Sequence, residues 1–327
     1  MASGPTIPIS GGTNMQAVIA GDIISPADFN NARTNINDML SAPTNVSDTH
    51  GLNQGGVSVG VATSGITIEA LGSAGAFTEL QNDIQAINAF YNATTNVHIQ
   101  TDIVVGDTIE YSEWNGMMYD TKARWDNEEK QYNFSTKTYP TSRTWTLAGD
   151  GAWSGLLEST VTFTWSSTAD MNAFFNGGGS VGMEAALMNY TPGSGDDQTE
   201  SWYDKLDALG DVFMGKTDSF AGAGTTTGNG QVDMTTSYQN LVAYNGGTSP
   251  YLDDWANVAA QVNNTTTPTS VTVRMRLNDG EDGHAPSDTP VSADTRFQGV
   301  LFTPDANGSG FTFATPTVSQ TNITETT

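Results

Sequence analysis

Along the first third of the chain the apolar residues recur at helical spacing, and from Trp145 onward they alternate with polar ones. The first pattern predicts amphipathic helices and the second predicts half-buried strands. Three helical segments share one plan. In the first, Ser25-Pro26-Ala27-Asp28 supplies an N-cap, a proline suited to the first helical position and an acid for the positive end of the helix dipole. Phe29, Ala32, Ile36, Met39 and Leu40 then share one face. Around Trp114 the grammar repeats: Gly21, Asp22, Ile24 and Asn30 align with Gly106, Asp107, Ile109 and Asn115, and Asp28-Phe29 with Glu113-Trp114. Trp114, Met118 and Trp125 form its apolar face. Between these two, Ile66 and Ile68 precede a helix carrying Phe77, Leu80, Ile84, Ile87 and Tyr91. The irregular spacing of the three argues against a solenoid. A single apolar stripe on each helix needs a partner surface, met either by mutual packing or by packing between protomers.

The second pattern is interrupted by two helices. Val161, Phe163 and Trp165 alternate with threonines, and Ser167-Thr168-Ala169-Asp170 then opens a helix bearing Met171, Phe174 and Phe175 that stops at Gly177-Gly178-Gly179. Val181, Met183, Ala185 and Leu187 alternate again. Thr199 caps a second helix with Trp202, Leu206 and Leu209. Phe213, residues 242–244 and residues 258–262 are further strand candidates. The clearest strand has Val271, Val273, Met275 and Leu277 on one face and Thr272, Arg274 and Arg276 on the other. Residues 297–302 and 311–313 complete the set. The sum is an α+β chain: an N-terminal arm (1–20), a helical repeat or assembly domain (21–135), an antiparallel β-sandwich-like domain with inserted helices (140–314) and a C-terminal tail (315–327). Both ends are polar and poorly patterned, as arms used in an assembly would be.

Charge narrows the function classes. The 327 residues hold 36 Asp and Glu against 11 Lys and Arg, a net charge of −25. Such a polyanion repels nucleic acid, whose binding depends on neutralising phosphates. The opening residues lack a basic region and an apolar run, so they do not read as a signal peptide. No stretch reaches the apolar length of a membrane span. The chain has no cysteine, which removes disulfides, thiolate metal sites and cysteine nucleophiles.

Candidate chemistry is sparse. His50, His98 and His284 are far apart and form no known catalytic signature. The glycine-rich run over 222–230 lacks the lysine of a phosphate loop and reads as a flexible surface loop. In Asn278-Asp279-Gly280-Glu281-Asp282-Gly283, oxygen ligands with intervening glycines suit Ca²⁺, which makes Asp279, Glu281 and Asp282 candidate ligands; the alternative is a solvated turn. Asp196-Asp197 and Asp253-Asp254 are weaker versions. Trp153, Trp202, Tyr203, Tyr251 and Trp255, with Trp145, sit among Gly, Ser and Asp as sugar-stacking aromatics do, although core positions account for most aromatics at these spacings. Paired carboxylates suit glycoside hydrolysis, but among so many acids pairs arise by chance, and the chain is expected not to be an enzyme.

Three passages carry a resemblance. They are 21–40 continuing through Gly51-Leu52-Asn53-Gln54 to Leu80-Gln81-Asn82-Asp83-Ile84, then Phe163 to Val181 with Ala173-Phe174-Phe175-Asn176-Gly177-Gly178-Gly179, and finally 271–301, read as strand, acidic loop and strand in a hairpin. Over most of its length the chain resembles virion structural, tail fibre-like proteins of tailed phages of marine cyanobacteria and related bacteria. Members carry more Arg near the second passage, where this chain has Gly182 and Glu184 on the strand's outer face. The resemblance implies a place on the virion as a tail fibre, neck, collar or surface component, release by lysis, and partners that are copies of itself (a trimer or ring) and other virion proteins. A glycan-binding adhesin at a fibre tip and a tailspike polysaccharide hydrolase are the alternatives.

Overall fold

The computed structural model describes residues 5–9, 12–17, 19, 24–47, 51–54, 74–91, 111–126, 134–193, 196–245, 251, 253–280, 289–306 and 309–326. The expectations on 21–23, 55–73 and 101–110, on the Phe77 side chain and on the three histidines lie outside the described residues. The chain is α+β and divides into two compact units.

The first unit comprises 1–44, 48–133 and 305–313. Its helices are α1 (Pro26–Leu40), α2 (Ala74–Phe90) and α3 (Tyr111–Asp126), and a short antiparallel ladder joins β1 (Thr6–Ile7) to β2 (Met15–Gln16). The start of α1 follows its sequence grammar. Ser25 Oγ accepts from the Asp28 N–H while Asp28 Oδ2 accepts from the Ser25 N–H, a reciprocal capping box. Phe29, Ala32, Ile36, Met39 and Leu40 are all buried, together with Leu80, Ile84 and Ile87 of α2 and Trp114, Met118 and Trp125 of α3. The three stripes therefore pack on one another. The arm expected over 1–20 is drawn into this core through Ile7, Ile9, Met15 and Ala17. Its backbone is tied down by Asn35, which bonds both the N–H and the carbonyl of Thr13, and by Trp114 Nε1 donating to the Gln16 carbonyl. Residues 311–313, expected as a strand, are irregular and belong here: Phe311 and Phe313 lie on Phe90, and buried Gln54 bonds both the N–H and the carbonyl of Thr312. A side-chain amide thus takes the place of a neighbouring strand.

The second unit comprises 45–47, 134–304 and 314–327 and holds two antiparallel sheets. In chain order come β3 (Phe134–Thr138), β4 (Ser142–Trp145), β5 (Leu156–Thr164), α4 (Thr168–Asn176), β6 (Ser180–Met188), α5 (Asp197–Leu209), β7 (Val212–Met214), β8 (Ser219–Phe220) and β9 (Thr225–Thr226). Then follow β10 (Gln239–Asn245), β11 (Trp255–Val262), β12 (Ser270–Asn278), β13 (Asp294–Pro304), β14 (Thr317–Gln320) and β15 (Thr324–Thr326). One sheet runs β14-β5-β12-β11-β10-β9, with β15 continuing beside β14 on β5; the other runs β3-β13-β6-β7-β8, with β4 beside β3 on β13. Alternation puts Val161, Phe163, Val271, Val273, Met275 and Val258 of the first sheet into one core with Val181, Met183, Ala185 and Phe297 of the second. Gly299 of β13 faces Val161 and Phe163 across that core.

The expected hairpin over 271–301 is not formed. Both edges of β12 are occupied, by β11 and β5, and both edges of β13, by β6 and by β3 with β4. The acidic segment therefore connects one sheet to the other, and the passage β5–α4–β6 makes the same kind of crossing. Two further expectations shift. Part of the glycine-rich run forms β9, which pairs with β10. The polar tail supplies β14 and β15, whose ladders cover the outer edge of β5. An edge left open on β5 would be a template for pairing with another chain.

Candidate functional site

Five polar or amphipathic side chains converge where α5 crosses the ends of β11 and β12. The start of α5 is fixed by Asp196, not by Thr199: Asp196 Oδ1 accepts from the Thr199 N–H at 2.7 Å and Oδ2 from its hydroxyl at 3.0 Å. Thr199 Oγ1 in turn accepts from the Ser292 N–H at 2.9 Å. With that start, Gln198, Trp202, Lys205, Leu206 and Leu209 fall on the buried face. Asp254 directly precedes β11 and Asp279 directly follows β12. Because Trp255 pairs with Asn278, the two aspartates emerge side by side from the end of one ladder. Gly280 seals the arrangement: its N–H donates to Asp254 Oδ1 at 3.1 Å, and a Cβ there would lie 2.7 Å from the Asp253 carbonyl oxygen.

At the centre, Lys205 Nζ donates to Asp254 Oδ2 at 2.6 Å, with the Tyr251 carbonyl at 3.4 Å and the Trp202 ring 4.9 Å away. The Gln198 amide donates to both carboxylates, and Trp202 Nε1 donates to Asp279 Oδ1 at 3.2 Å. Side-chain exposure is 4% for Lys205 and 1% for Asp254. Burial pushes the Lys205 ammonium below its ordinary pKa, opposed by its hydrogen bond to Asp254 and by the charges of Asp254 and Asp279. One carboxylate and one amine are thus held in contact away from bulk water, and Gln198 links the second carboxylate to them.

The residues expected to bind ligands are distributed differently. Asp279 turns into this cluster, while Glu281 and Asp282 lie outside the described residues. Among the described residues no three His, Asp or Glu side chains converge as a metal site would require. Asp196 is spent on the helix cap and Asp254 on Lys205. Trp153 and Trp202 are fully buried, 5.1 Å apart, with Trp153 Nε1 donating to Thr295 Oγ1, so neither offers a ring face to a sugar. Tyr251 is buried too. Tyr203, against Tyr190, Trp255 and Trp145, whose Nε1 donates to the Gly151 carbonyl, are half-buried. Lys205, Gln198 and Asp254 were missed as a set, yet one signal was present: a lysine three residues after Trp202 on the helical face that carries Leu206 and Leu209.

Beside the cluster, Glu200 accepts from the Tyr190 hydroxyl and from the Gly193 N–H at 2.7 Å. These bonds, the Tyr190 one first, hold its carboxyl below the ordinary value of 4.5. The unfolded state therefore binds the proton first as pH falls. The stabilisation is complete above the unfolded value and is lost as pH drops through the folded one. Hydrogen exchange at Gly193, corrected for intrinsic rate, is expected to accelerate between pH ~6 and pH ~3. Glu200→Gln should show the faster exchange throughout, and equal protection across that range in the unaltered chain would refute the linkage.

Among the described residues no helix is long and apolar enough to cross a membrane. Compared with known proteins, the chain matches no family model, no curated protein and no solved structure.

Proposed function

We propose that the chain is a structural component of a bacteriophage particle, a tail fibre, neck, collar or surface protein that works by oligomeric assembly and not by catalysis. One observation carries the reading beyond the sequence resemblance. Among the described residues, Lys205, Asp254, Asp279 and Gln198 form a set of polar side chains closed inside the second unit, where it braces α5 against the ends of β11 and β12. Carboxylates placed to hydrolyse a polysaccharide flank an open cleft wide enough for a sugar; here a single glutamine amide bridges both. Assembly by copies of one chain favours closed symmetric rings or trimers.

The native mass of the purified chain, measured by light scattering with and without Ca²⁺, tests this. A stable trimer or larger ring is expected, and a mass that changes on chelation would show that Ca²⁺ supports the assembly. A monomer in both conditions would overturn self-assembly.

A further inference from the structure

We propose that Lys205 and Asp254 condense into an intramolecular amide, a covalent cross-link between α5 and the start of β11, with Asp279 as the proton-transfer group. The proposal rests on the geometry of the buried cluster and is independent of the virion reading.

The nucleophile and electrophile are already in contact. Nζ lies 2.6 Å from Oδ2, and the carboxyl carbon is one bond further on. Groups held this way react with effective molarities no free pair in solution reaches. The site also removes the usual obstacle to amide formation, which is water. Lys205, Asp254, Asp279, Gln198 and Trp202 are each at most 5% exposed. A buried ion pair retains a large desolvation cost, whereas an amide is neutral, so condensation relieves that cost and releases one water to bulk solvent. Asp279 supplies what a bare Lys–Asp pair lacks. It is fixed by Gln198 and by Trp202 Nε1, and Gln198 touches both carboxylates.

The step balances without any co-reactant. The ammonium passes one proton to Asp254, giving an amine and a carboxylic acid. Nζ attacks Cγ and the C–N bond forms. Asp279 takes a proton from the nitrogen and delivers it to the departing hydroxyl, the C–O bond breaks, and water leaves. Asp279 ends as it began. Burial lowers the Lys205 pKa, which favours the neutral amine that the attack uses.

Intact mass spectrometry of the folded, purified full chain decides the matter. The expected mass is one water below the sequence mass, and protease digestion should yield a branched peptide joined through Lys205 and Asp254. Lys205→Arg, which keeps the cation, and Asp279→Asn, which keeps the shape, should both stand at their own sequence masses. Asp254→Asn provides a positive control that does not depend on folding defects: condensation then expels ammonia, and the product has the same mass as the cross-linked unaltered chain. Full sequence mass in the folded unaltered chain would overturn the proposal. So would a loss of water that persists in Lys205→Arg, since that would place it at a succinimide of an Asp-Gly step, Asp150-Gly151, Asp279-Gly280 or Asp282-Gly283.

Discussion

Measured in the Asp279→Asn background, which keeps Lys205 and Asp254 as an uncondensed ion pair, Asp254→Ala is expected to destabilise the second unit by about 3–5 kcal/mol, because it strands the Lys205 ammonium in a buried site. The remaining neighbours do not replace the lost partner. The Tyr251 carbonyl is 3.4 Å from Nζ, and the Trp202 ring offers only its face. Adding Lys205→Met to that background should recover more than half of the loss, since it removes the stranded charge and leaves an apolar stem beside Leu206 and Leu209. Urea unfolding followed by tryptophan fluorescence measures both changes, with Trp153 and Trp202 reporting from beside the cluster. The Asp254→Ala chain should also show a distinctive pH dependence. Burial already holds the Lys205 pKa below its unfolded value of 10.5, and loss of Asp254 removes the main force raising it. Between the two values the unfolded chain binds a proton that the folded chain does not, so the variant's stability should rise with pH up to the unfolded value. A loss under ~1 kcal/mol, or no recovery on adding Lys205→Met, would show that Lys205 reaches water and that the brace contributes little.

Much of this architecture was legible in the sequence because it depends on local periodicity. The alternation of Val161 with Phe163, of Val181 through Leu187 and of Val271 through Leu277 names the inner faces of β5, β6 and β12 directly, and the Ser25 and Ser167 caps mark helix starts. What periodicity does not encode is partnership between distant strands. The segment between β12 and β13 looks like a hairpin loop because two good strands flank it, yet whether they pair depends on which other strands claim their edges. Phe311 and Phe313 fail for a related reason: an apolar alternation that short is equally served by packing on Phe90. The polar C-terminal stretch has no apolar signal, since β14 and β15 add mainly backbone hydrogen bonds to an edge. The cluster around Lys205 was hidden by the same limitation. Asp254 and Asp279 each sit in acidic, glycine-containing stretches that resemble solvated turns or cation loops, and only the register of β11 on β12 brings them together.

Gly182→Ala, the addition of one methyl group, is expected to cost about 4 kcal/mol or more, well beyond an ordinary core substitution. Gly182 lies mid-strand in β6, where it pairs with Phe213 of β7 on one side and Val300 of β13 on the other. A Cβ there would stand 1.9 Å from the Val212 carbonyl oxygen and 2.6 Å from the Phe213 Cα. Both are backbone atoms in a ladder, so no rotamer change relieves the contact, and β7 must separate from β6. The consequences spread outward. Phe213 stacks with Phe220 and meets Phe302 at 4.7 Å on the outer face, so a displaced β7 uncovers that aromatic layer. Gly299→Ala is the matched control within the same sheet. Its Cβ would meet the side-chain methyls of Val161 at 3.0 Å and Thr141 at 3.1 Å, groups that can shift, and a cost of about 1–3 kcal/mol is expected. If Gly182→Ala proves too unstable for equilibrium unfolding, the soluble fraction of each variant expressed side by side gives the same ranking. Equal stability of the two variants would mean that β7 approaches β6 less closely than this ladder has it. The larger penalty at Gly182 would instead show why a residue that weakens strands in general is required at this one: it is the backbone of β7, not a side chain, that fills the space above it.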